Sequence, residues 1–278
     1  MTAVTLPAPG AVEAPSAAAR VPAAATVFAA LMRRDLRALR RELPFFLLRT
    51  ILQPLLFVIV FGALMPRMGL VSSRYGAAML PGVLALTLGL AAVQSVALPL
   101  VQDFGWTREI EDRLLAPIPT GLLVAQKIAS GAVQALVSAA AVLPIARLVM
   151  GPIPGLSPTN LGVVLVVAVL GALTFSAAGM VLGTVISPQQ IGLLFSAILT
   201  PTIFFGCAYY PWRGLDAVPF VKYLVLINPL TYVSEGMRAV LTPGMPHMPL
   251  GAVVCALLVL GGLFCVLGLR GFRKRAFG

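Results

Sequence analysis

Nine carboxylates and a single histidine are all the carboxyl and imidazole side chains in 278 residues. Four of the nine, Asp103, Glu109, Glu111 and Asp112, crowd into one run, DFGWTREIEDRLLAPIPTG, at 103–121. Catalysis by such groups needs them held with a base at one depth. The one histidine, His247, has no acidic or metal-ligating neighbour in sequence, which argues against a metal or catalytic site built on it. Cys207, Cys255 and Cys265 lie in or beside apolar runs without CxxC spacing, so they read as small buried hydrophobes. A phosphate loop of the form G-x-x-x-x-G-K-S/T is absent. The nearest string, GLLVAQK at 121–127, lacks the second glycine and the hydroxyl residue. No cofactor, metal or nucleotide site is expected on this chain. Interleaved with Arg108 and Arg113, the clustered acids suit recognition rather than bond-making.

The run has its own helical logic. Trp106, Ile110 and Leu114 recur every four residues and line one side, while Arg108, Glu111 and Asp112 fall largely opposite. Glu109 and Arg113 form an i,i+4 pair in the favourable order. Pro117 and Pro119 then stop the helix. A connection that needed only water would not need the apolar stripe. The stripe must rest on a membrane surface, on adjacent helix ends or on a partner protein, and the two-signed charge would fix its register there.

The elements that hold this loop are nearly pure hydrocarbon. The chain is 59% hydrophobic and 10% charged, with a mean hydropathy of +0.99, whereas a soluble domain is about 25% charged. Lipid must therefore cover most of the surface. Apolar runs near the ~20 residues that cross a bilayer occur at 45–65, about 77–101, 121–149, 160–186, 190–209 and 249–269. These predict an all-α integral membrane protein with six transmembrane helices, a permease domain spanning 44–275, and two long connectors at 102–120 and 210–248. With the N-terminus in the cytoplasm, fourteen of the twenty Lys and Arg fall on the cytoplasmic side and six outside. That bias predicts that both termini are cytoplasmic. It also explains a pI of 10.6 without nucleic acid, for which no binding motif exists.

Residues 1–24 are rich in Ala and Pro and are expected to be a disordered tail, with no basic region followed by an apolar core of the signal-peptide kind. Residues 25–43 differ. Phe28, Leu31, Met32, Leu36, Leu39 and Leu43 share one side, and Arg33, Arg34, Arg37, Arg40 and Arg41 the other. This predicts an amphipathic interfacial helix with arginines towards anionic headgroups, or a basic helix docking on a partner. Asp35 and Glu42 interrupt its apolar edge.

Three segments in order resemble the ATP-binding-cassette permeases of the second type. They are the amphipathic helix followed by LQPLLFVIVFG (52–62), the loop TREIEDRLLAPIPTGLLVAQKI (107–128) and INPLTYVSEGMRAVL (227–241). Arg108-Glu109, Leu114-Leu115, Pro117 and Lys127 carry the loop match, and the resemblance runs from about residue 26 to 275. It is nearest to drug-exporting and glycolipid- or oligosaccharide-exporting members. It implies an inner-membrane exporter for a hydrophobic drug-like or lipid-like molecule, with two copies of a separate ATPase that holds ATP and Mg²⁺. A second permease copy or a sister chain would complete the pore. Trp106, Arg108, Glu109, Ile110, Glu111, Arg113 and Leu114 would form the cytoplasmic coupling helix in a groove of the ATPase. Shifting a two-state equilibrium from 1:99 to 99:1 takes about 5.5 kcal/mol, and an exposed ion pair supplies ~0–1 kcal/mol, so the apolar stripe must share the load.

Within that frame, 210–248 is expected to dip back into the outer leaflet as a short re-entrant segment. Asn228, Pro229, Glu235 and Arg238 would mark an outer gate, or equally a structural plug, with Glu235 and Arg238 paired at the segment's surface. Phe204, Phe205 and Tyr209 would line a cargo path or sit in an interfacial aromatic belt. Gly179 and Gly183 form a GxxxG that reads as packing within the chain. An ion-coupled carrier is the rival from another class. It would need ionisable groups at mid-depth, and the spans carry hardly any.

Overall fold

The computed structural model describes residues 24–107, 119–151, 153, 155–242 and 244–277. Among them the chain is helical throughout its regular structure. The principal helices are α1 (Ala24–Ile59), α2 (Ser73–Gln102), α3 (Thr120–Met150), α4 (Pro158–Val185), α5 (Pro229–Leu241) and α6 (Leu250–Phe277). Among the described residues, five stretches are long and apolar enough to cross a membrane: Ala24–Arg67, Ala78–Gly105, Thr120–Val149, Pro158–Val185 and Leu250–Ala276.

α2 forms the centre of the bundle and packs against α1, α3, α4 and α5, while α6 lies along α4. Leu80, Leu84, Leu88, Ala92 and Val96 of α2 are almost wholly enclosed. Close approach depends on small residues. A Cβ on Gly179 would lie 3.0 Å from the Val93 carbonyl oxygen, and one on Gly183 would lie 2.9 Å from a Leu100 methyl. The GxxxG thus serves α2–α4 packing inside the chain. Outward-facing rows of large apolar residues, including Phe45, Leu48 and Leu52 on α1 and Leu258, Val259 and Leu263 on α6, remain exposed.

Two expectations meet a different structure. The boundary between an interfacial helix at 25–43 and a span from 45 carries no break, because α1 runs straight through. Pro44 lies inside α1 on an exposed face next to Arg40 and Arg41. The carbonyl that loses its donor there is not trapped in a packed core, so the helix continues. The arginine-rich stretch is therefore the first part of one long helix. The expected span at 190–209 is instead a helical run of mixed pitch over 188–204. It comprises a 3₁₀ turn at Pro188–Gln190, a π segment at Leu194–Leu199 and a last α turn at Thr200–Phe204. Ser187 starts it with a capping box. It ends at Phe204, and in the turn that follows a Cβ on Gly206 would lie 2.3 Å from a Leu230 methyl.

Side-chain bonds define the two ends of the bundle. Asp35 on α1 meets Gln126 on α3, Thr120 meets Arg273 on α6, and Arg275 on α6 meets the end of α4. The 102–120 connector leaves from this end. At the other end, the chain after residue 204 folds over α2, with Gly82 packed so tightly that a Cβ would lie 1.8 Å from the Ala208 carbonyl oxygen.

Candidate functional site

Two polar clusters stand out, one at each end. The first is the root of the connector. Arg108, Glu109, Ile110, Glu111, Arg113 and Leu114 lie outside the described residues, so the expected coupling helix has no geometry to report. Its anchor does. α2 passes into a π turn at Asp103–Thr107, which contains Trp106. Asp103 pairs with Lys127 of α3 at 3.3 Å, both largely shielded. Phe104 packs edge-on against Phe272 of α6 at 5.7 Å, and the Arg275 guanidinium lies 4.8 Å from the Phe104 ring. The same guanidinium nitrogen, Nη1, donates towards the carbonyls of Gly183, Thr184 and Ile186 at 3.1, 3.1 and 2.9 Å. Those carbonyls belong to the C-terminal turn of α4 and its exit, which have no helical donors of their own. Arg275 thus ties the connector's root, the exit of α4 and the end of α6 into one knot. Sequence reasoning counted Arg275 only as an orienting charge. The available signal was an Arg in the last turn of an otherwise apolar helix.

On α1, Arg33, Arg34, Arg37, Arg40 and Arg41 are all exposed, while Phe28, Leu31, Met32, Leu36, Leu39 and Leu43 are half-buried. Asp35, which interrupted the pattern, has a partner on each side. Arg34 donates to its Oδ1 at 3.0 Å, and Gln126 donates to its Oδ2 at 2.7 Å. It joins α1 to α3.

The second cluster is at the opposite end. Asn228 caps α5: its Oδ1 accepts from Leu230 N–H at 3.0 Å, and its Nδ2 donates to the Thr202 carbonyl at 2.7 Å. Pro229 takes the first helical position, where a missing N–H costs nothing. Glu235 and Arg238 do pair, as their i,i+3 spacing predicts. Their expected place at the segment's surface is corrected: the side chains are 0% and 1% exposed. Glu235 Oε1 accepts from Trp212 N–H at 2.9 Å as well as from Arg238, and its Oε2 accepts from Met248 N–H at 2.9 Å. Arg238 Nη2 donates to the Cys207 carbonyl at 2.9 Å. Cys207 adopts a φ of +50°, uncommon for a residue with a side chain. The pair therefore clamps three separate pieces of chain (at 207, 212 and 248) onto α5. A buried pair needs further hydrogen bonds to offset its desolvation, and here both Glu235 oxygens and both terminal nitrogens of Arg238 have partners.

Beside the clamp lies an aromatic patch. Phe204 and Phe205 are exposed, whereas Tyr209 is half-buried and 5.2 Å from the Phe57 ring. The Tyr209 hydroxyl has no hydrogen-bond partner among the described residues. Tyr210 donates to the Phe204 carbonyl at 2.9 Å, and burial holds its phenol above the ordinary tyrosine range. The structure brings Asn228, Pro229, Glu235, Arg238 and the three aromatics to the same end of the bundle.

The family model described as "ABC-2 type transporter" matches residues 26–242, from the start of α1 to just past α5. The chain belongs to the ABC-2 type transporter family. An "Inner membrane transport permease YadH" of Escherichia coli (strain K12) is 30% identical over 188 residues, covering 66% of this chain and 70% of that protein. The YadH permease of Shigella flexneri matches to the same extent. The chain is therefore a multi-pass membrane permease of an ABC transporter, a transport subunit and not itself an enzyme. ABC-2 permeases generally pair with an ATP-binding subunit.

Proposed function

We propose that this chain forms the membrane pore of an ATP-driven exporter, moving a hydrophobic drug-like or lipid-like molecule across the cytoplasmic (inner) membrane. A separate ATPase subunit, in two copies, binds ATP and Mg²⁺ and grips the 102–120 connector as a coupling helix. A second permease copy or a sister chain completes the pore. The run 188–204 makes the sixth crossing. Its start adjoins Ile186, held by Arg275 at the connector end, and Thr202 meets Asn228 at the other end. At roughly 1.5 Å per residue, 17 residues span about 25 Å, near the lower limit for crossing hydrocarbon. Both termini are then cytoplasmic, and the arginine face of α1 lies against anionic headgroups. The aromatic patch of Phe204, Phe205 and Tyr209 lines the exit path, and the α5 clamp forms the outer gate.

One observation carries the reading. In a member of a transporter family, the root of the connector is braced by an ion pair to α3 and by Arg275 from α6, so a push on the connector reaches two crossings at once. The test is purification from the native membrane followed by reconstitution. A nucleotide-binding chain should co-purify, and cargo movement should require it and ATP. Movement of cargo by the permease alone would refute the proposal.

A further inference from the structure

Arg33, Arg34, Arg37, Arg40 and Arg41 of α1 are all exposed, and one carboxylate, Asp35, stands among them. Among the described residues, only Arg34 of the five has an acidic partner. It donates from Nε and Nη2 to Asp35 Oδ1 at 3.2 and 3.0 Å. The two lie on either side of a boundary, because the Arg34 side chain is 51% exposed and that of Asp35 only 19%. Asp35 Oδ2 accepts from Gln126, which is buried on α3. The next residue of α3 is Lys127, which pairs with Asp103 at the connector's root. Asp35 and Lys127 line the same cavity of about 400 Å³ between α1, α2 and α3, and Lys127 lies within Coulomb range of Asp35. Lys127 thus stands between two carboxylates, and Asp35 between two cations. From the surface of α1 inwards to the connector, charges alternate in the order Arg34, Asp35, Lys127, Asp103.

We infer that anionic lipid headgroups of the connector-side leaflet regulate the brace at the connector's root, by drawing Arg34 away from Asp35. A guanidinium forks onto a phosphate as readily as onto a carboxylate. Arg34, Arg37 and Arg41 follow one another at i, i+3 and i+7, so they form a row on one side of α1. A headgroup phosphate held by that row takes Arg34 together with its neighbours. Asp35 then keeps the Gln126 hydrogen bond but loses its guanidinium. Water answers its charge poorly, because the carboxylate is largely shielded. Lys127 is the next cation in reach, a compact ammonium on a flexible stem. Whatever share of Lys127 turns to Asp35 is lost to Asp103, and the root loosens. In neutral lipid Arg34 stays on Asp35, Lys127 stays on Asp103 and the brace is tight. Anionic lipid is therefore a brake on the lever. The membrane's surface potential fades within a Debye length of about 8 Å, so Arg34 senses it directly and the alternating charges carry the response to the root. The inference rests on the proposed function for setting the arginine face of α1 against headgroups.

The test takes the full chain, as purified from its membrane, into nanodiscs of phosphatidylcholine alone or with added phosphatidylglycerol. Hydrogen exchange of the amides at 103–107 reports the brace and needs neither nucleotide nor cargo. In the parent, phosphatidylglycerol should speed that exchange about threefold or more. The two partners of the switch should then fail in opposite directions. Asp35→Asn keeps an acceptor for Gln126 but has no charge to pull Lys127, so exchange should be slow in both lipids. Arg34→Gln leaves Asp35 permanently without its guanidinium, so exchange should be fast in both. Arg34→Lys, which keeps the charge, should restore a lipid response. Arg33→Gln removes the same surface charge away from Asp35 and should still respond to phosphatidylglycerol. A parent blind to phosphatidylglycerol, a response that survives in Asp35→Asn, or a shift of both variants in one direction would each overturn the inference. A response to inorganic phosphate in neutral lipid as large as that to phosphatidylglycerol would overturn the membrane source. A response that appears in neutral lipid only when an ATPase chain is bound would overturn lipid as the partner. Transport assays separate this inference from the exporter reading. If transport requires ATP and a companion chain while exchange ignores the lipid, only the brake falls. If exchange follows the lipid but no companion chain exists, the charge relay stands and the exporter reading falls.

Discussion

Replacing Arg238 by Met removes one half of the buried clamp and keeps only an unbranched apolar stem, without the guanidinium head. It leaves Glu235 fully enclosed with two backbone N–H donors and no cation, and it leaves the Cys207 carbonyl without the Nη2 donor. Breaking a buried pair from one side typically costs about 3–5 kcal/mol, because the remaining charge has no compensation. An exposed pair, as the sequence alone suggested, is worth ~0–1 kcal/mol. The two placements therefore differ by a measurable margin. In Glu235→Gln/Arg238→Met, the amide oxygen still accepts from the chain at 212 or 248 and no unpaired charge remains. This variant should recover most of the loss. The assay is reversible unfolding of the purified protein in mixed micelles, run as a four-member mutant cycle. Coupling of about 2 kcal/mol or more between the two sites is expected. If Arg238→Met alone lies within about 0.5 kcal/mol of the parent and the cycle is additive, the buried-clamp reasoning is wrong.

Other perturbations probe the opposite end and the packing. Trp106→Ala should reduce stimulation of the partner ATPase and transport more severely than Arg108→Ala; unchanged values for both would remove the lever from the mechanism. Arg275→Gln loses the guanidinium's contacts to three carbonyls and to Phe104. It should lower the ratio of transport to ATP hydrolysed while leaving the amount of folded protein within about twofold, since each hydrogen bond contributes about 1 kcal/mol net. Gly82→Ala places a methyl 1.8 Å from the Ala208 carbonyl oxygen. The backbone cannot yield cheaply there, so the thermal midpoint should fall, whereas the open position Gly162 should accept Ala without loss.

Much of this fold was legible because lipid exposure acts on composition, residue by residue. Four of the six apolar runs became long helices at nearly the expected positions, the first became part of α1, and the two faces of that helix separated as the spacing of Leu and Arg demanded. Limits arose wherever burial depends on residues remote in sequence. Glu235 and Arg238 announced their pairing through i,i+3 spacing, but their depth is set by Cys207, Trp212 and Met248. Asp35 looked like an error on an apolar edge until Gln126, ninety-one residues away, supplied its partner. The mixed pitch of 188–204 was also hidden. An apolar run carries no information about helical rise, and Pro188 and Pro201 are compatible with either a straight span or a broken one.

The most direct measurement places a photo-crosslinking amino acid at Ile110 in membranes from cells making ATP. Irradiation should join the permease to a nucleotide-binding chain, identified by azido-ATP labelling of the adduct, with a yield that changes when ATP is depleted. If the adduct forms only with lipid, while a membrane-impermeant maleimide reaches Arg108→Cys from outside intact cells, then the connector is not a handle for an ATPase.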